Sequence, residues 1–487
     1  MATEIELKLA ISGKAARQLI DHPQLVGHPP QRLRLLNTYY DTPHLDLHDR
    51  RIALRFRKKG TNWLLTVKTA EAARGGLAVR QEWEYPAQPG EFDFTAVGDD
   101  ALRHVLDTHR PQLRPVFTTH FTRLLWHLPH GNARIEMALD RGTIDSDGRT
   151  QKISEVELEL LEGDIADLFS FAQQLQQDIA LRPAIASKAE SGYRLFKRTP
   201  PRPARSTPSP VRPGQTPIQA FRLIALACLE QLQRNEAGLL TNNQPEYIHQ
   251  ARVAIRRLRS ALALFAPLLP AEFQKNFRKP WKKLADTLGT ARNWDVFIDD
   301  TLPPILAAFP DTPAAQRLRK AARQQRRGAG QAVAAHIGHA DTARLWLDFT
   351  AALYALPEVA DLDLAQFAQQ QIAEQSQRTE QIAARFAELD AHERHQLRLA
   401  YKKLRYTTDF MAPLLAHQAS RKQLATLSQL QDALGQINDL ITAQQLLNTL
   451  QPKRTAGPVD GWLTGRHQLL IDQLPNMLAP WLARQGH

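Results

Sequence analysis

The chain is nearly devoid of cysteine: Cys228 is the only one in 487 residues, so no internal disulfide can form. That scarcity fits a reducing, cytoplasmic setting. No apolar run is long enough to cross a bilayer, and no membrane partner is expected. The opening Met1-Ala2-Thr3-Glu4-Ile5-Glu6 lacks the basic-then-apolar pattern of a signal peptide. No recognition helix, zinc-ligand spacing or base-stacking platform stands out, which argues against nucleic acid as the partner. Positive charge, by contrast, is in excess, with a formal net charge of +12 and a pI near 9.8. A polyanion is the partner such an excess predicts. With 43% hydrophobic and 23% charged residues the composition is globular, and the length calls for two or three domains.

The character of the chain changes near residue 200. Before it lie short alternating runs: Glu4-Ile5-Glu6-Leu7-Lys8-Leu9, Ile52-Ala53-Leu54-Arg55-Phe56-Arg57, Trp63-Leu64-Leu65-Thr66-Val67-Lys68 and Val156-Glu157-Leu158-Glu159-Leu160. Period-two alternation marks strands. In strand after strand the second face carries Glu, Lys and Arg. Such a sheet is either wet outside or closed around a polar lumen. Residues 164–178 read as a helix. Residues 199–217 are rich in proline, from Pro200 to Pro217, and read as a semi-extended linker. Beyond it Leu and Ala recur at helical spacing. His249-Gln250-Ala251-Arg252 through Arg259 is echoed by His395-Gln396-Leu397-Arg398 through Arg405, and Leu288-Gly289 by Leu434-Gly435, both at an offset of 146. One offset held over that distance predicts a duplicated helical unit.

Glu4, Glu6 and Lys8 share one face of a strand, as do Glu157 and Glu159, and Arg55 and Arg57. Lys68, Arg80, Arg123 and Lys188 fall at or near strand ends or helix starts. Gathered in one lumen, the carboxylates suit a hard divalent cation, and the Arg and Lys side chains suit phosphate oxygens. For one strand alone, a solvated ion-paired face explains the pattern as well.

The segment Glu4-Ile5-Glu6-Leu7-Lys8 resembles the ExExK signature of the CYTH superfamily, the triphosphate tunnel metalloenzymes. Similar matches follow in that family's order: Tyr39-Tyr40-Asp41-Thr42-Pro43, Leu54-Arg55-Phe56-Arg57, Thr66-Val67-Lys68, Arg80-Gln81-Glu82, Arg123, Ile135-Glu136 with Asp140, Glu155 to Glu159, and Ser187-Lys188-Ala189 before Gly192-Tyr193. The resemblance implies a closed antiparallel tunnel of about eight strands over residues 1–198. It implies that Glu4, Glu6, Glu157 and Glu159 hold Mg²⁺ or Mn²⁺, with Glu136 and Asp140 as further metal or water contacts. Lys8, Arg55, Arg57, Lys68, Arg123 and Lys188, with Arg80, would grip a triphosphate. No residue is singled out as general base.

In the helical half, His249, Arg252, Arg256 and Arg259 share a helix face, and so do His395, Arg398, Lys402 and Arg405. Stacked like charges repel by a few tenths of a kcal/mol per pair, a cost an anion would remove. These stretches, together with residues 288–296 and 431–439, resemble the CHAD domain; Asn293 stands where that family often has Asp. The resemblance implies two pseudo-symmetric four-helix bundles over residues 218–485, with a basic cleft for inorganic polyphosphate. Residues 310–390 show only generic helix and receive no function.

The fold expected is therefore α+β in two domains, a β-tunnel followed by an all-α domain. The activity expected is metal-dependent hydrolysis of inorganic triphosphate to diphosphate and phosphate, in a cytoplasmic protein associated with polyphosphate granules. The rivals are a class IV adenylate cyclase, a thiamine or nucleoside triphosphatase, and a non-catalytic polyphosphate scaffold. The division also predicts that a fragment ending near Arg198 acts alone. The oligomeric state is not legible.

Overall fold

The computed structural model describes residues 2–69, 73–241, 244–309, 313–359, 362–415, 417–450 and 457–485. The chain divides into two compact units, one of residues 1–202 with 339–355, the other of residues 203–338 with 356–487.

The first unit is built on strands β1 (Ala2–Ile11), β2 (Gln31–Asp41), β3 (Ile52–Lys59), β4 (Asn62–Thr69), β5 (Leu77–Pro86), β6 (Arg114–His130), β7 (Ala133–Ser146), β8 (Arg149–Glu162) and β9 (Leu181–Pro183). They run antiparallel in the order β5-β4-β3-β2-β6-β7-β8-β1-β9. A further β1–β5 pairing closes eight of them into a barrel, the closed one of the two arrangements that the charged faces allow and the one that the CYTH resemblance implies. On β1, β3, β5 and β8 a charged inner row results, while β2 turns Leu33, Leu35 and Tyr39 inward.

The outer rows are covered by α1 (Gly13–Ile20), α2 (Asp46–Asp49), α3 (Asp100–His109), α4 (Ile165–Asp178) and α5 (Lys188–Phe196). Leu7, Leu9 and Ile11 of β1 pack with Leu168, Phe169 and Leu175 of α4. Leu54, Phe56, Leu65 and Val67 pack with Leu102 and Leu106 of α3. Helix α5 lies against β6 closely enough that a Cβ on Gly192 would stand 2.1 Å from the Phe117 ring.

The second unit holds α6 (Pro217–Thr241), α7 (Pro245–Leu264), α8 (Ala271–Val296), α9 (Leu302–Ala308), α10 (Pro313–Gly338), α12 (Leu364–Ala383), α13 (Ala391–Met411), α14 (His417–Leu450) and α15 (Pro458–Gln485). The remaining helix, α11 (Ala340–Tyr354), groups with the first unit. The helix starts repeat: Pro217 with Leu364, Pro245 with Ala391, Ala271 with His417, and Pro313 with Pro458. Two four-helix sets thus follow one another in the chain, joined by α11. One difference marks the first set, where a π-helical turn at Phe297–Thr301 separates α8 from α9.

The proline-rich stretch is free of helix and strand up to Thr216, but from Ala204 it is held against the helices. Ala204 exchanges hydrogen bonds with the Asn235 side chain, N to Oδ1 and Nδ2 to O, both at 2.9 Å. Ser209 Oγ donates to the Phe410 carbonyl at 2.6 Å, and Val211 is buried. Proline removes backbone donors, so side chains of the helices supply the pairing.

Asp41, wholly buried at the end of β2, accepts from the amides of Thr42 (2.7 Å), Leu47 (3.0 Å) and His48 (2.9 Å) and from Tyr193 Oη (2.8 Å). It ties β2 and α2 to α5. Asp41→Ala would strand these donors and should lower the unfolding free energy by about 3 kcal/mol in a denaturant titration. Asp49→Ala, at an exposed position, should change it by less than about 0.5 kcal/mol.

Candidate functional site

The inner rows converge on a cavity of about 300 Å³ inside the barrel. Its lining includes the carboxylates Glu4, Glu6, Glu82, Glu84, Glu136, Glu157 and Glu159 and the cations Lys8, Arg55, Arg57, Lys59, Lys68, Arg80, Arg123 and Lys188. Apart from Asp140, every tunnel residue named from the sequence lines it. Asp140, directly behind the wall, binds Arg123 through Nε and Nη2 at 2.8 Å each and Lys188 at 2.6 Å.

Register explains the convergence. Glu6 faces Glu159, Lys8 faces Glu157 and Glu4 faces Arg80 across β1's neighbours, while Glu136 faces Glu159 and Asp140 faces Glu155. Two arrangements result. At one level, Lys8 Nζ lies 2.8 Å from Glu157 and 3.4 Å from Glu155. Lys188 binds Glu157 at 2.9 Å and also contacts Glu155, and Arg123 binds Glu157 at 2.6 Å. Burial opposes charge on Glu157, but Lys188, Lys8 and Arg123 outweigh it and hold the carboxyl well below its ordinary range.

At the other level the carboxylates exceed their partners. Arg80 binds Glu4 (2.8 Å) and Glu6 (2.6 Å), and Lys68 binds Glu4 (3.1 Å) and Glu82 (2.7 Å). Glu6 Oε1 is buried without a hydrogen bond. Burial, then the charges of Glu4 and Glu136, push the Glu159 carboxyl up to about 8. Facing like charges of this kind destabilise a sheet unless a cation comes between them.

A carboxylate triad of Asp140, Glu155 and Glu157, with one oxygen each inside 4.8 Å, is the tightest acidic group among the described residues. Lys8, Lys188 and Arg123 already neutralise it. Glu6 and Glu159 are less fully paired, and together with Glu4 and Glu136 beside them they fit a hard divalent ion better.

The grip on the opposite wall is also incomplete. Arg55 Nη1 donates to Tyr39 Oη at 3.1 Å, while its Nε and Nη2 are buried without a hydrogen-bond partner. Arg57 is positioned by Asn37 Oδ1 (3.0 Å) and Glu84 (3.1 Å). Tyr39, Glu82 and Glu84 were not singled out as site residues. The alternation Arg80-x-Glu82-x-Glu84 carries the signal for the two carboxylates; Tyr39 falls within the Tyr39–Pro43 match, where its residue type points to no site role.

In the second unit, α7 and α13 pack on each other, which brings the repeated basic faces together. The Arg256 guanidinium lies 5.5 Å and that of Arg405 4.6 Å from the centre of the Tyr406 ring. Burial, then Arg256 and Arg398, push Arg252 down to about 10 and the Lys402 amine down to about 7. Burial lowers His249 and His395 too, reinforced by Arg292 and Arg398 respectively. Arg398 is lowered by burial even though Asp439 counters it. Arg259 is exposed at the edge and adds to the charge at Lys402. Arg326 does not belong to the free surface charge: it binds Asp295 at 2.8 Å and Asp299 at 3.0 Å.

No helix among the described residues is long and apolar enough to cross a membrane. Residues 2–193 match the CYTH domain and residues 223–448 the CHAD domain. An inorganic triphosphatase of Haemophilus influenzae is 36% identical over 202 residues, 40% of this chain and 55% of the relative. The match thus spans about half of that relative's length. The solved CHAD domain of the plant Ricinus communis is 30% identical, with a TM-score of 0.46, over 57% of this chain and 96% of its own. A Hippeastrum protein described as having a dominant triphosphatase activity is 20% identical, with a TM-score of 0.32, over 40% of this chain and 95% of its own. At these TM-scores the two structures add nothing to the account of the site. The barrel with its ordered charges and the duplicated basic helices agree with the two matches, and the chain is a CYTH–CHAD protein, with the CYTH domain first.

Proposed function

We propose that the tunnel hydrolyses inorganic triphosphate with Mg²⁺ or Mn²⁺, and that the helical unit binds inorganic polyphosphate. One observation carries the first part: the same cavity holds buried Arg55 donors and a buried Glu6 oxygen that lack a hydrogen-bond partner, beside a half-buried Glu159 whose carboxyl its neighbours push up to about 8. A polyanion with a divalent ion satisfies both. Glu4, Glu6, Glu136 and Glu159 would hold the ion. Bound there, it supplies positive charge beside phosphate oxygens and acidifies water. Arg55, Arg57, Lys68 and Arg80 hold the phosphate chain from the facing walls and offset charge on the transferred phosphoryl group. Lys8, Arg123 and Lys188 fix Glu157 and present their remaining N–H groups to the substrate. Water adds to the terminal phosphorus, the P–O–P bridge breaks, and diphosphate and phosphate leave.

Charged side chains make up most of the lining, beside Leu33, Leu35, Phe121 and Leu125, so the cavity offers more to phosphate oxygens than to a nucleobase. Tripolyphosphate should therefore be turned over faster than ATP or thiamine triphosphate in a phosphate-release assay. EDTA should abolish turnover. Glu159→Gln should lower kcat by about a hundredfold or more at an unchanged circular dichroism spectrum. Activity that survives EDTA would overturn the metal assignment.

For the helical unit, the support is that its clustered cations are pushed down rather than up. They repel one another where acidic partners are few. Arg256→Glu with Lys402→Glu should weaken polyphosphate binding by about tenfold or more at moderate salt. Arg319→Glu with Arg323→Glu, on exposed positions of α10, should cost less than about threefold. Equal losses would mean diffuse surface charge.

The sign of the pH dependence follows from Lys402. Its amine is largely neutral above about 7 in the free protein. A bound polyanion favours the ammonium, so binding takes up a proton. Polyphosphate affinity should fall as pH rises through about 7, and Lys402→Arg should flatten that dependence in calorimetry.

A further inference from the structure

Helix α11 lies outside the residues that match the CYTH domain, and within the stretch to which the sequence assigned no function. Its place in the tunnel unit is nonetheless specific. Leu347 is fully buried in the same apolar cluster as Leu7, Leu9, Leu168 and Phe169. Tyr354 stacks on Phe169 at 6.0 Å, and Gln173 donates to Asp348 at 2.7 Å. The Arg182 guanidinium of β9 lies 5.2 Å from the centre of the Trp346 ring.

Besides α4, the helix rests on two segments, β9 and the turn before β5. At Gly75, whose φ is +64°, a Cβ would stand 2.1 Å from Thr350 Oγ1. Thr350 is itself buried, and its hydroxyl donates to the Trp346 carbonyl at 2.8 Å. Only a residue without a side chain lets the turn approach that closely.

These two segments are the ones that hold Lys8. Along this edge β1 pairs with β5 as far as Leu7 and with β9 from Leu9. At the junction the Lys8 amide donates to the Gly76 carbonyl, and the Lys8 carbonyl accepts from the Ala184 amide, both at 2.9 Å. The turn also leads into β5, whose Arg80 holds Glu4 and Glu6.

We propose that α11 is a positioning element of the tunnel: with Thr350 against Gly75 and Trp346 against Arg182, it fixes the backbone of Lys8 and the turn that leads into β5 and Arg80. The catalytic consequence rests on the triphosphatase reading; the structural one does not. The chain thus supplies part of the tunnel's support from beyond the CYTH match, through a single residue, His339, that separates α11 from α10. A fragment ending near Arg198 lacks that support.

The test uses the full chain. Thr350→Arg forces the turn away, Thr350→Ala loosens it should the larger side chain prevent folding, and Thr350→Ser is the conservative control. Amide hydrogen exchange, read without substrate, should rise about tenfold in peptides covering residues 5–10 and 74–80 in the Arg or Ala variant. Exchange across β3, residues 52–57, should stay at the wild-type rate, and the Ser variant should match the wild type throughout. With tripolyphosphate, kcat/KM should fall about tenfold, mostly through KM, since a misplaced binding group is felt steeply. Unchanged exchange at residues 5–10, or acceleration spread evenly over the barrel, overturns the proposal. A wild-type chain that hydrolyses no triphosphate overturns the functional reading, and the exchange result still decides this one.

Discussion

A carboxylate or guanidinium taken out of water has to meet an opposite charge at close range, because its desolvation cost in a low-dielectric interior exceeds what any single apolar contact returns. Glu4, Glu6, Lys8, Arg55, Asp140 and Lys188 are all buried. The elements that carry them are stable only when the opposite charge arrives from another element, often far along the chain. Closing the sheet meets that demand. Lys8 on β1 finds Glu157 on β8, Lys68 on β4 finds Glu4 on β1, and Arg123 on β6 finds Asp140 on β7. The apolar outer row then specifies where the helices lie, since each must cover the leucines and phenylalanines that alternate with those charges.

The two units handle most of their buried positive charge in opposite ways, Arg57 in the tunnel and Arg257 among the helices being exceptions. In the tunnel, Arg80, Arg123, Lys8 and Lys188 are all pushed up, because acidic partners outweigh the cost of burial. In the helical unit, Arg252, Arg398 and Lys402 are pushed down, because burial and neighbouring cations act together. A paired cation exchanges one anion for another when substrate enters, which favours geometric selectivity. An unpaired cluster is relieved of repulsion by whatever polyanion arrives, which favours length and charge over shape. That difference suits a small triphosphate in a closed lumen and a flexible polymer on an open face.

The charged rows were legible because they alternate at period two, and the repeat was legible because one offset of 146 links His249 to His395 and Leu288 to Leu434. Which carboxylate each cation takes was not. Lys8 and Glu157 are 149 residues apart, and only register brings them together. Thus Glu157 reads from the sequence as an equal of Glu159, although in the fold one is surrounded by cations and the other by carboxylates. Arg326 reads as an exposed cation of a generic helix, yet it is held by Asp295 across the turn after α8. Tyr39 and the β5 carboxylates show the same limit from the other side: a residue type says what it can bind, and the register says what it meets.

The position of α11 follows from the duplication. The two four-helix sets bury their apolar faces within each set, α7 on α6 and α8 in the first, α13 on α12 and α14 in the second, and against each other. A helix that joins the sets has no place reserved within either. It still carries Trp346, Leu347, Phe349 and Leu353, all buried, and such a face has to be covered. Helix α4 and β9 of the barrel offer an apolar surface flanked by Gln173 and Arg182, which match Asp348 and the face of Trp346. An amphipathic pattern specifies that a helix will be covered and leaves open by what. The cover is decided by those two polar contacts and by the room that Gly75 leaves for Thr350, which is why a segment that looks generic in the sequence lies against the strands that carry Lys8 and Arg182.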